Sequence, residues 1–144
     1  MFSKSVDERL SAWKSLRDNL NDESDPLSKV MKFWHQAPLI PYNHKVDQYN
    51  PNSWPTPWEI IVDNKYDDFT LGLMIGWTLK CTEKFANSKI EVRVMVDENR
   101  TKLYNLVYID DDMVLNYNKL KAIKAQDIPN SFLLENLVDI TRPR

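Results

Sequence analysis

A chain of 144 residues has the size of one ordinary domain, long enough to bury a core and too short for two. With 42% hydrophobic and 28% charged residues the composition is globular, which excludes wholesale disorder. A net charge of −2 and the lack of a dense Lys/Arg stripe give no general attraction for phosphate backbones or anionic lipid, so neither nucleic acid nor a membrane is an expected partner. The opening Met1-Phe-Ser-Lys-Ser-Val-Asp-Glu-Arg9 has no apolar signal-like run, and the lone Cys81 has no internal disulfide partner; together they predict a reducing cytoplasm.

Ser5-Val-Asp-Glu8 has the form of a capping box and predicts a first helix from Val6 to Leu20. Val6, Leu10, Trp13, Leu16 and Leu20 recur at three- or four-residue steps beside a charged face, as in a helix lying on a core. Asp25-Pro26 reads as a cap followed by proline at the first helical position, opening a second helix to about His35. Residues 1–36 thus form an N-terminal helical part of a single domain.

From Ala37 to Pro57 the chain carries five prolines with Tyr42, Tyr49 and Trp54 and follows neither helical nor strand period. A loop of this length is uncommon in a compact domain unless it is functional or disordered, and its aromatics argue against disorder. Residues 37–58 are therefore the expected functional surface, with Tyr42, Tyr49, Trp54 and Trp58 as candidate partner-binding residues. The competing reading has the same aromatics covering the core from outside.

Residues 59–141 carry the predicted core. Thr56-Pro-Trp-Glu59 is a second capping box, opening a short helix. The next helix, about Asp67 to Phe85, is apolar nearly all round and must be central. Gly72 and Gly76, the two glycines of the chain, lie four residues apart on one face of it, where tight internal packing or a partner could approach the backbone. Ile90, Val92, Val94 and Val96 then alternate with polar or longer residues as in a strand with one buried face. A second strand over Lys102–Asp110, a third over Met113–Tyr117 and a fourth near Ala122–Ala125 complete an antiparallel meander. Pro129–Leu134 reads as a short helical turn, Leu137–Thr141 as a terminal extended segment, and Arg142-Pro-Arg144 as a frayed tail. The fold class is α+β: N-terminal helices and a central buried helix packed on a three- to four-stranded antiparallel sheet.

Chemistry-bearing patterns are sparse. Both glycines lie inside a helix, so no Gly-rich phosphate turn is available. His35, His44 and Cys81 lack metal-ligand spacing, and Asp110-Asp-Asp112 reads as a hairpin turn rather than a cation site. Cys81, late in the central helix, sits near the negative end of its dipole, where a thiolate is disfavoured. The expectation is no catalytic residue, no metal and no cofactor.

The order of a central helix and three antiparallel strands, ending in Tyr104-Asn-Leu-Val-Tyr-Ile-Asp-Asp-Asp-Met-Val-Leu-Asn116, resembles the core of transglutaminase-like, papain-type folds over roughly residues 57–117. The resemblance implies a nucleophilic Cys opening the helix, a His near the start of the second strand and an Asp ending the third. Those places fall near Tyr66, near Lys102 to Tyr104 and at Asn116, and none carries the required residue. It therefore implies a fold that has lost its triad. The alternative it leaves open is a hydrolase or transferase with an atypical cleft built from Tyr66, Asp67, Asp68, Tyr104 and Asn116. Asn50-Pro-Asn-Ser-Trp-Pro-Thr-Pro-Trp-Glu59 and Lys102-Leu-Tyr-Asn-Leu-Val-Tyr-Ile-Asp110 are also similar to small proteins of contractile-tailed phages of marine bacteria. That similarity implies a virion or assembly component, or a host-directed factor, with a viral structural or host protein as partner.

Overall fold

The computed structural model describes residues 1–143. Four helices and five strands follow in the order α1 (Val6–Leu20), α2 (Pro26–Trp34), α3 (Pro57–Asp63), α4 (Asp68–Lys80), β1 (Ile90–Val96), β2 (Leu103–Ile109), β3 (Met113–Leu115), β4 (Ile123–Lys124) and β5 (Leu133–Asp139). The class is α+β, as the sequence predicts.

The helix starts follow from their caps. Asp25 accepts from the Ser28 amide, and Thr56 with Glu59 makes both bonds of a capping box. At α1 the box is half made: Ser5 accepts from the Glu8 amide, while the Glu8 carboxylate takes its bond from the Ser5 hydroxyl. The stripe of α1 also departs from expectation, because Val6 stays exposed while Arg9 is buried. The Arg9 guanidinium donates to the carbonyls of Ile61 and Val62 at the end of α3 and to that of Lys4, which satisfies carbonyls that a helix end leaves orphaned.

Every residue of α4 from Phe69 to Leu79 is buried, so the helix is central as predicted, but it ends at Lys80 rather than near Phe85. Thr82 turns its hydroxyl back onto the Leu79 carbonyl and its own side chain receives the Phe85 amide, replacing further helical turns with a tight bend. On one side α4 meets the sheet. A methyl placed on Gly72 would stand 3.3 Å from the Asn105 carbonyl oxygen, and one on Gly76 would stand 3.0 Å from Ile140 Cγ1, so the glycines serve internal packing. On the other side Thr78 Oγ1 accepts from the indole N–H groups of both Trp13 and Trp34, each at 2.9 Å, which ties α1 and α2 to α4.

The sheet has five strands in the order β4-β3-β2-β1-β5, one more than expected. The reading of Pro129–Leu134 as a turn holds only as far as Phe132, whose amide donates to the Pro129 carbonyl at 3.1 Å, and Leu133 and Leu134 belong to the added strand. The 3-10 turn lies earlier, at Ala125–Asp127, and β5 starts at Leu133 and pairs antiparallel with β1. A register shift opposite Val94/Met95 interrupts β5's alternation, which is why its first half does not read as a strand. The third strand stops at Leu115 rather than Tyr117, since Asn116 turns the chain at φ 73°. Odd-numbered β2 residues face α4, while Leu106 and Tyr108 join Val114 and Ile128 in a second cluster on the outer face. Among the described residues no helix is long and apolar enough to cross a membrane. Arg142 and Pro143 line a cavity against the Pro51–Pro57 stretch, and Arg144 lies outside the described residues.

Candidate functional site

The start of α4 is where the atypical cleft would lie. Asp67 caps the helix: its carboxylate accepts from the Thr70 amide at 2.8 Å, the Thr70 hydroxyl at 2.6 Å and the Asn43 amide at 2.9 Å. Those bonds explain why it is buried, and they leave it bound to structure. Tyr66 is wholly buried, its ring 5.5 Å from those of Phe2 and Trp34. Burial pushes its phenol well above the ordinary value against the opposing Arg9 charge, and its hydroxyl has no hydrogen-bond partner among the described residues. Asp68 is exposed.

Tyr104 does not join them. It is on the outer face of the sheet, stacked on Phe132 at 4.8 Å and beside Tyr117 at 5.7 Å. Asn116 donates to the Asn105 carbonyl at 2.8 Å, behind the second turn of α4. The five residues therefore do not converge on one polar cleft, and the place of Tyr66 is a packed aromatic junction.

What the structure does bring together is His35 and Asn116. His35 caps the end of α2, and its basicity is lowered by burial first and then by the Lys119 charge, against the Asn116 side-chain oxygen, which accepts from the imidazole and favours the proton. Its Nε2 is buried without a partner among the described residues. Nothing in the sequence pairs these two residues, which lie far apart along the chain. Cys81 caps the end of α4 half-buried; burial pushes its thiol up, against the opposing charges of Arg17 and Arg142. Asp110 and Asp111 have φ of 53° and 58° and bond Lys89 and Arg93, as the turn reading predicts. Among the described residues no group of three His, Cys, Asp or Glu side chains is arranged to hold a metal ion.

The 37–58 segment is an ordered loop pinned at several points. Ile40 donates to the Tyr66 carbonyl, Asn43 bonds Asp67 and the Lys65 carbonyl, Val46 is buried, and the Gln48 carbonyl accepts from Asn136 on β5. Trp54 donates its indole N–H to the Asp47 carbonyl and packs edge-on to Trp77 at 6.1 Å and against Phe69 at 5.7 Å. It covers α4. Trp58 is exposed on one side and edge-on to Trp13 at 5.6 Å on the other. Tyr42 and Tyr49 are 66% and 69% exposed and cover nothing comparable. Two hollows flank Trp54. One, open and shallow, is shared with Trp58, His44 and Lys45; the other, about 280 Å³, lies between the loop and Asp139–Pro143.

No family model and no curated protein matches the chain in sequence. In structure it matches calcium-bound LapG of Legionella pneumophila with a TM-score of 0.67 at 20% identity, over 91% of this chain and 74% of that one. At that identity the likeness is one of fold alone, and this chain shares the fold of LapG. The places where the sequence resemblance looked for a triad carry buried Tyr66, outward-facing Tyr104 and Asn116.

Proposed function

We propose that this chain is a non-catalytic interaction protein on a transglutaminase-like scaffold, with residues 37–58 as its binding surface and another protein as its partner. The observation that carries the reading is the exposure of Tyr42 and Tyr49, 66% and 69%, on a backbone already fixed by Asn43, Val46 and Trp54. Aromatic side chains on a pre-ordered loop bind with little further loss of conformational freedom, and Tyr is enriched among residues that dominate interfaces. The similarity of the Asn50–Glu59 and Lys102–Asp110 segments to phage proteins supports a virion or assembly component, or a host-directed factor.

The test is affinity capture from the native cell or virus with the wild-type chain and with Tyr42→Ala/Tyr49→Ala. A stoichiometric protein partner, lost in the variant while its melting temperature is unchanged, is the expected result. Capture of the same partner by both proteins, or of none by either, removes the loop from the function.

The contact of His35 with Asn116 favours one alternative, a hydrolase or transferase with an atypical site. An imidazole whose basicity is lowered by burial and whose Nε2 has no partner among the described residues is free to accept a proton. Turnover of an ester or amide panel that disappears in His35→Ala and survives in Tyr42→Ala/Tyr49→Ala would replace the interaction reading.

A further inference from the structure

We infer that β5 is a receiving edge, to which an extended segment of the partner adds as a further strand while sending one apolar side chain into the cavity beside Trp54. The inference rests on the interaction reading and names the partner's form. β5 is the outermost strand on its side of the sheet and spans seven residues, whereas the opposite edge, β4, has two. Ile140 donates to the Ile90 carbonyl at 2.8 Å, and Val138 pairs with Val92 in the same register. Antiparallel alternation then turns the N–H and C=O groups of Leu137 and Asp139 away from β1. None of these outward groups has a hydrogen-bond partner among the described residues. Leu133, Leu134 and Leu137 add exposed apolar surface, at 45%, 53% and 40%. An edge of this length with apolar side chains is a template for strand addition unless charge or covering blunts it.

Charge selects the occupant. A second copy pairing antiparallel about Leu137 would set Glu135 against Asp139 at both ends, and like charges directly opposite destabilise a strand pair. Asp139 stands opposite Glu91 of β1, whose carboxylate Arg93 takes up at 2.7 Å, while Asp139 itself makes no ion pair among the described residues. The fitting occupant is a segment of another protein with Lys or Arg opposite Asp139 and apolar residues over Leu134 and Leu137. Past Asp139 the edge runs into the cavity walled by Pro51, Trp54, Trp77 and Thr141. At about 280 Å³ it falls just below the range of about 300–1,000 Å³ usual for small-molecule sites, which suits a side chain better than a cofactor.

The experiment is selection of a displayed random-peptide library on the full chain, followed by titration of a selected synthetic peptide and amide hydrogen exchange. Selected peptides are expected to alternate apolar residues with Lys or Arg and to slow exchange at Leu137 and Asp139. Leu137→Pro should weaken binding by at least about tenfold with folding intact, since proline is tolerated on an edge strand where the N–H faces out. Asp139→Lys should turn the selection toward acidic peptides. The exchange measurement on the wild-type chain decides the matter even if the proline variant does not fold. A library that yields no binder, or binders that leave exchange at Leu137 and Asp139 unchanged, overturns the inference. Binders lost in Tyr42→Ala/Tyr49→Ala but indifferent to Leu137→Pro overturn the added strand and keep the loop; the reverse pattern keeps the strand and removes the loop.

Discussion

Thr78 uses its whole hydrogen-bonding capacity inside the core: its hydroxyl donates to the Met74 carbonyl at 2.6 Å and accepts from two indoles. Thr78→Val leaves the N–H groups of Trp13 and Trp34 buried without an acceptor, each at a cost of about 1–3 kcal/mol. Urea unfolding should show a loss of about 2–5 kcal/mol, with Thr78→Ser close to wild type. His35 makes a second residue-scale prediction, in pH. Its folded-state pKa lies below the ordinary 6.5, mainly through burial, so the unfolded chain takes the proton more readily. The stabilisation is complete above 6.5 and is lost as pH falls from there through the lowered value. His35→Gln should flatten the dependence of urea stability on pH in that window; an unchanged slope would show that the imidazole is not the group responsible.

At the scale of elements, Trp54 separates covering from binding. Its contacts with Phe69 and Trp77 make it a lid on α4, so Trp54→Ala should cost about 3 kcal/mol, as large-to-small changes at packed aromatics do. Tyr42→Ala and Tyr49→Ala should each stay within about 0.5 kcal/mol, as exposed positions do. Thermal melts check both, and a Tyr49→Ala variant as damaged as Trp54→Ala would make the whole loop a cover. The sequence carried the elements whose signals are local. Caps located the starts of α1, α2 and α3, an all-round apolar run located α4, and period-two alternation located β1. It carried the second half of β5 as the extended segment Leu137–Thr141 but not the first half, where the register shift breaks the period, nor the face of Tyr104. Leu106, Val107, Tyr108 and Ile109 of β2 are all buried, so alternation could not say which side meets α4. The meeting of His35 with Asn116 was equally hidden, because it arises from helix placement and not from spacing.

For the molecule as a whole, the hydrophobic clusters predict where it opens first. One cluster joins Trp13, Trp34, α4, the inner sheet face and Ile140. The other lies under the segment from Tyr117 to Phe132, which covers the outer face through Ile128, Phe132 and a two-residue strand. Phe132 is central to that cover, stacked on Tyr104 at 4.8 Å and edge-on to Tyr117 at 5.9 Å. A segment held by so few apolar contacts opens at a lower free energy than the strands and helix of the main core. Native-state hydrogen exchange should therefore show the amides of residues 117–132 exchanging through a local opening, well before those of α4 and β1. Phe132→Ala should speed the first group by about tenfold or more and leave the second unchanged except through global unfolding. Equal acceleration of both groups would mean that the two faces of the sheet unfold as one unit, and that the outer cover contributes to the main core as much as α4 does.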